Sequence, residues 1–163
     1  VSIRLKEVAS VDPRAVALRA VLDADLHARY GPANADEPPE RTDARRAALR
    51  TPRDQIAATW IALDESGDAI GHVMLRRLGD EWELKRLVVA PEGRRRGVGR
   101  ALTRAVIDRA HREGARRVIL QTGAPQPESI ALYASEGFTP IPVYEPYVET
   151  MADSLCFERV LRP

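Results

Sequence analysis

The spacing of hydrophobic and polar residues changes several times along the chain, and each change marks an element. Ile3, Leu5 and Val8 alternate crudely with polar neighbours and predict a short strand. Asp12-Pro13 supplies an N-cap followed by proline at the first helical position. Val16, Ala17, Ala20, Leu22 and Leu26 fall roughly on one face, so a helix is expected from Pro13 to Tyr30, stopped by Gly31-Pro32. Residues 33–40 are acidic and proline-bearing and read as a loop, after which ARRAALR (44–50) predicts a short second helix. The period then falls to that of strands. QIAATWIAL (55–63) and AIGHVMLRRL (69–78) flank the turn residues DESGD and predict a hairpin, and EWELKRLVV (81–89) follows the Gly79-Asp80 turn as a third antiparallel strand. From Gly97 the spacing is helical again, with Val98, Leu102, Ala105, Val106 and Ala110 on one face and Gly114 as C-cap. RRVILQT (116–122) predicts a strand, PESIALYASEG (127–137) a short helix closed by Gly137, and 138–143 and 154–160 two last strands. The central order of strand, loop, helix and strand makes Val88 and Ile119 candidate parallel neighbours across a right-handed crossover.

Composition narrows the class. A chain of 163 residues that is 44% hydrophobic suffices for one cored domain, expected over residues 1–163, and is too short for two ordinary ones. Basic and acidic groups nearly cancel at net +1, which argues against nucleic-acid or anionic-membrane partners drawn by a global field. Only Lys6 and Lys85 among the basic residues are lysines, a bias that fits GC-rich, bacterial-type coding as well as any need for guanidinium chemistry. Cys156 is the only cysteine, so neither an internal disulfide nor a cysteine zinc cluster is expected. No stretch approaches the roughly 20 apolar residues of a membrane span, and the N-terminal residues lack a secretory apolar core, so the expected location is cytoplasmic.

The densest chemistry lies in VVAPEGRRRGVGRAL (88–102). Pro91 ends the strand, and Gly93, Gly97 and Gly99 let the chain turn and approach a ligand closely. The helix that follows begins with N–H groups that have no intrahelical partner, carries about half a positive charge, and suits phosphate oxygens. Arg94, Arg95 and Arg96 add charge-assisted donors, although three arginines also describe an ordinary solvated run. Two other nucleotide signatures are missing: there is no third glycine for a dinucleotide fingerprint and no P-loop.

This stretch resembles the acyl-CoA pyrophosphate loop of the GNAT superfamily of N-acetyltransferases, R/Q-x-x-G-x-G/A, here Arg94-Arg95-Arg96-Gly97-Val98-Gly99. A second motif, QPESIALYASEGF (126–138), is similar to that family's helix ending in LY-x-x-x-GF. Together they imply an α/β fold: a single GNAT-like domain with a mixed, mostly antiparallel sheet of about six or seven strands flanked by about four helices. The resemblance further implies acetyl-CoA as co-substrate, no metal, and an acetyl group moved directly to a primary amine. A non-catalytic acyl-CoA-binding or regulatory module is the alternative.

Site residues follow from the same resemblance. It marks Tyr133 as the acid that protonates the leaving thiolate; otherwise this tyrosine anchors its helix. Glu83 is the expected base, acting through water, unless it merely pairs with Lys85 or Arg86. Leu87, Val88 and Val89 would offer backbone groups to the pantetheine arm and the acetyl carbonyl. Arg94, Arg95, Gly97, Val98, Gly99, Arg100 and Ala101 would hold the pyrophosphate, and Gln126 stands where the family commonly has a cofactor-contacting asparagine. His72 is a weaker base candidate on an earlier strand, while His27 and His111 read as surface residues and Cys156 as a small hydrophobe. For the acceptor, a small-molecule amine is expected over a protein tail. Asp36, Glu37 and Glu40 could attract it, though Arg41, Arg45 and Arg46 follow at once. The Pro140–Glu149 segment, with Tyr144 and Tyr147, could close over the amine site or join a homodimer.

Overall fold

The computed structural model describes residues 2–162. Seven strands form one sheet in the order β1-β2-β3-β4-β5-β7-β6, where β1 is Arg4–Val8, β2 Ile56–Leu63, β3 Ala69–Leu78, β4 Glu81–Val89, β5 Arg117–Thr122, β6 Thr139–Ile141 and β7 Leu155–Val160. Only β4 and β5 run parallel, joined across a helix, and every other pair is antiparallel. The helices are α1 (Pro13–Tyr30), α2 (Pro39–Leu49), α3 (Val98–Arg112) and α4 (Pro127–Ser135).

Local chemistry accounts for the boundaries. Asp12 caps α1 through its carboxylate, which accepts from the Arg14 N–H at 2.9 Å, and Pro13 supplies the preset φ at the next position. The β2–β3 turn is tied by Asp64, whose carboxylate accepts from the N–H groups of Ser66 and Asp68. The second helix starts five residues earlier than its ARRAALR run predicts. Pro39 and Glu40 belong to it, because proline at a first helical position forfeits no hydrogen bond.

Two other expectations are corrected. The buried stripe of α1 is Ala15, Leu18 and Leu22, with Leu26 partly packed, whereas Val16 is 48% exposed. Alanines spread around the helix blur the apolar stripe there, so spacing alone chose a face rotated from the true one. In the parallel pair, Ile119 lies opposite Glu83 and not Val88, and the ladder comprises only Trp82–Val118 and Glu83–Ile119. The two strands part beyond that point.

The sheet separates two unlike layers. On one side, α3 packs Val98, Leu102, Val106 and Ala110 against Trp60, Val73, Leu75, Trp82, Leu84 and Leu120, with Tyr133 and Phe138 from the α4 region completing this core. On the other, α1 covers Ile61, Leu63, Val88 and Ala90. The same second side holds the buried polar residues of β3 and β4.

Candidate functional site

The C-terminal end of β4 is where the elements meet. Arg86 adopts φ 60°, and the β3–β4 register slips by one residue there: Met74 faces Lys85, while His72 faces Val88. This β-bulge sends both Lys85 and Arg86 toward the α1 side and reverses the alternation beyond it, so that Val88 joins the α1-side cluster while Leu87 and Val89 pack toward α3. Because pairing to β5 has already stopped at Glu83, residues 84–89 offer an unpaired strand edge to the opening between the two strands.

The glycine and arginine turn sits directly after that edge. Arg95 and Gly97 have positive φ of 62° and 77°. A side chain at Gly97 would meet no neighbour, so it is the left-handed backbone that demands glycine there. Ala101 is the first α3 residue whose N–H closes onto Gly97, at 3.0 Å, which leaves those of Val98, Gly99 and Arg100 without helical partners. A Cβ on Gly99 would come within 3.0 Å of the Leu132 side chain, which binds the loop closely to α4. Arg94 and Arg95 are exposed, whereas Arg100 pairs with the buried Glu136 at 3.0 Å and so contributes to the turn through its backbone. This nest of N–H groups at a helix start suits a pyrophosphate.

Tyr133 lies on α4, buried among the α3-side apolar residues and edge-on to Phe138 at 5.7 Å. Its hydroxyl has no hydrogen-bond partner among the described residues, and burial pushes its pKa up, which keeps the phenol protonated. At the start of the same helix the Gln126 amide donates to the Tyr30 hydroxyl at 3.0 Å. Arg29 joins Glu128 and the Pro125 carbonyl, so the end of α1 is fastened to the β5–α4 connection.

Glu83 is completely buried, and its partner is neither Lys85 nor Arg86, as sequence proximity suggests, but Arg76 across the β3–β4 ladder, at 2.7 Å. Arg86 instead reaches Asp23 of α1 at 2.7 Å. The other Glu83 oxygen accepts from Tyr144 at 2.5 Å and Tyr147 at 3.0 Å. Tyr147 in turn accepts from Lys85 at 2.9 Å and Arg76 at 3.2 Å. Burial lowers the Lys85 pKa to about 8, and the phenols of Tyr144 and Tyr147 are pushed up by burial and by the facing carboxylate. The tyrosine segment thus lies over the polar face, and of the three side chains bonded to Glu83, Arg76 and Tyr147 are buried while Tyr144 is half-buried. Sequence spacing singled out this segment but missed Arg76, whose carboxylate partner lies on the next strand.

His72 is fully buried. Its Nδ1 lies 2.8 Å from the Arg86 carbonyl and its Nε2 2.9 Å from an Arg19 guanidinium nitrogen. Arginine can only donate, so Nε2 accepts and Nδ1–H donates to the carbonyl. Burial lowers the pKa to about 4, with Arg19 and Arg86 adding to the effect. The occupied lone pair leaves no free base, and the ring instead braces the bulge. His27 and His111 are exposed and Cys156 is buried, as expected. Glu37 is held by Arg45 at 2.7 Å and by Thr42 at 2.8 Å, which engages the carboxylate expected to attract an amine. Among the described residues no cluster of His, Cys, Asp and Glu forms a metal site, and no helix is long and apolar enough to cross a membrane.

Comparison with known proteins places the chain in a family and agrees with its fold. The family model described as the acetyltransferase (GNAT) family matches residues 19–138. N-acetyltransferase 8 of Mus musculus is 35% identical over 85 residues, covering 48% of this chain and 37% of the relative. The IAA acetyltransferase of Azospirillum brasilense is 34% identical over 90 residues, covering 54% of this chain and 59% of the relative. The matches thus span less than two thirds of either relative. Among solved structures, a candidate acyl-CoA N-acyltransferase of Klebsiella pneumoniae superposes with a TM-score of 0.76 at 22% identity, covering 98% of this chain and 97% of that one. A GNAT family acetyltransferase of Elizabethkingia anophelis, solved with acetyl-CoA bound, gives 0.65 at 17% identity, with 98% of each chain covered.

Proposed function

Because this chain belongs to the GNAT acetyltransferase family, we propose that it transfers the acetyl group of acetyl-CoA directly to a primary amine, and that the acceptor is a small molecule. The observation that carries this reading is the coincidence of two features: a strand edge left open beyond Glu83, and, directly after it, a helix start with three unpartnered N–H groups. The first suits an extended pantetheine arm, and the second suits its pyrophosphate. Bound there, acetyl-CoA supplies an activated thioester carbonyl.

The chain's residues divide the remaining work. Val98, Gly99 and Arg100 bind phosphate oxygens through the backbone, Ala101 continues the helix behind them, and Arg94 and Arg95 add charge at the rim. Leu87, Val88 and Val89 align the arm along the open edge, where an N–H polarises the acetyl carbonyl. Gln126, held by Tyr30, orients the far wall. Tyr133 gives its proton to the sulfur as the carbon–sulfur bond breaks and the carbon–nitrogen bond forms. Glu83 is too buried to touch an amine, so Tyr144 relays: its oxygen takes the amine proton while its own proton passes to Glu83 along the 2.5 Å hydrogen bond.

Thiol release from acetyl-CoA over an amine panel tests the reading. Turnover on at least one amine is expected, with a loss on the order of 10²- to 10⁴-fold in Tyr133→Phe at unchanged acetyl-CoA affinity. Undiminished turnover in that variant would remove the acid role. Calorimetry that finds tight acetyl-CoA binding with no turnover on any amine favours the binding module instead.

A further inference from the structure

On the α1 side of the sheet, a cavity of about 320 Å³ opens between the start of α1, the end of α2 and the β4 bulge. Three arginines line it: Arg19 from α1, Arg53 from the turn after α2, and Arg86 from the bulge. No carboxylate is among its lining residues. Thr51 also lines it, and the Thr51 hydroxyl oxygen is buried without a hydrogen-bond partner. Met74 provides an apolar floor.

The arginines are held in place to different degrees. Arg19 donates to His72 at 2.9 Å and to the Ser10 carbonyl, which fixes its plane and leaves further N–H groups unused. Arg86 is braced by Asp23 at 2.7 Å and by the Arg19 carbonyl at 3.4 Å. Arg53 has no hydrogen-bond or ion-pair partner among the described residues and is exposed at the mouth. Burial first and then the neighbouring Arg86 charge lower the Arg19 pKa, against a smaller opposing pull from Asp23. The cavity also adjoins the carboxylate network: Arg76, which grips Glu83, donates to the carbonyl of Arg50, the residue before Thr51, at 3.1 Å.

We propose that this cavity binds a carboxylate on the acceptor, so that the substrate is an amine that also bears an acid group, as a free amino acid does. The inference rests on the acetyl-transfer reading for the amine end and on the three arginines and Thr51 for the acid end. A planar carboxylate matches the guanidinium fork, and the orphaned hydroxyl donates to one of its oxygens. The volume lies at the small end of ligand cavities and suits a molecule of amino-acid size.

The test compares the free L-amino acids with their carboxamides, using acetyl-CoA and the full chain. The best acid should exceed its amide in kcat/KM by about tenfold or more, and Arg53→Ala should collapse that ratio toward one by raising KM for the acid. Equal use of acid and amide, or equal losses on both in Arg53→Ala, would overturn the proposal. A preference for 2-aminoethyl phosphate over every amino acid would also overturn it and assign the cavity to phosphate. If no amine is acetylated, calorimetry with the N-acetyl amino acids and their amides decides separately. Acid-selective binding weakened in Arg53→Ala upholds the anion site while the transferase reading fails, and absence of such binding overturns it.

Discussion

The β3–β4 ribbon presents two faces built from opposite materials. Toward α3 it shows Val73, Leu75, Trp82 and Leu84, an apolar surface continuous with the main core. Toward α1 it shows His72, Arg76, Glu83 and Lys85, four titratable side chains within two strands, all of them buried. The first face holds a helix start in position for a ligand recognised through N–H groups. The second holds charges whose partners are other side chains. Apolar packing is therefore the support for the proposed cofactor half, and a hydrogen-bonded ionic network is the support for the proposed acceptor half. Breaking each half should give a different kind of failure.

The largest separation is expected in ligand binding. Gly97→Val forces a β-branched residue into φ 77° and should weaken acetyl-CoA binding by on the order of a hundredfold in calorimetry, while Arg96→Ala should change it by less than about threefold. A Gly97 variant with normal affinity would make the turn a plain basic loop.

Stability separates the faces next. Leu102→Ala, on the apolar face, should cost about 3 kcal/mol in urea unfolding through the cavity it leaves. Glu83→Gln should cost a similar amount, about 3 kcal/mol, although it removes no volume, because Arg76 loses its carboxylate inside the protein. A neutral Glu83→Gln would show that the network is dispensable.

The smallest effect is the shape of the pH curve, which only the charged face should give. The folded-state pKa of His72, about 4, lies below its ordinary 6.5, so the unfolded chain binds more protons between those values and stability falls as pH drops through that window. Lys85 titrates at about 8 when folded and at 10.5 otherwise, so by the same sign its burial penalty is full below pH 8 and is relieved as pH rises toward 10. His72→Gln should flatten the acid limb and Lys85→Met the alkaline rise, each by on the order of 1–2 kcal/mol in unfolding experiments. Leu102→Ala should lower the whole curve without changing its shape.

The same contrast governs what the sequence reveals. The glycine turn is contiguous, its requirements are those of backbone conformation, and R-x-x-G-x-G states them in six letters; Tyr133 follows on one short helix. Strands β3 and β4 were read to the residue because Gly79-Asp80 and Pro91 punctuate them. The proposed acceptor half is assembled from residues 19, 51, 53, 76, 83, 86, 144 and 147, whose neighbours along the chain say nothing of one another. The resemblance names Glu83, but its partner Arg76 is set by the cross-strand register, which a hairpin pattern predicts only after the turn is counted. The β5 alignment failed for a related reason, since a parallel crossover leaves register to tertiary packing.

The extra residue in β4 has a consequence for the chain as something that can be edited. Upstream of Arg86 odd-numbered side chains turn toward α1, and downstream even-numbered ones do. Straightening the bulge with every residue kept would restore the plain alternation and invert everything after it, turning Val88 and Ala90 to the α3 side and Leu87 and Val89 to the other, whereas deleting Arg86 along with the bulge would leave all of them on their present faces. The strand thus behaves like a text with a reading frame, in which a letter dropped elsewhere garbles the line beyond it, while at the bulge the omission of one letter leaves the rest legible.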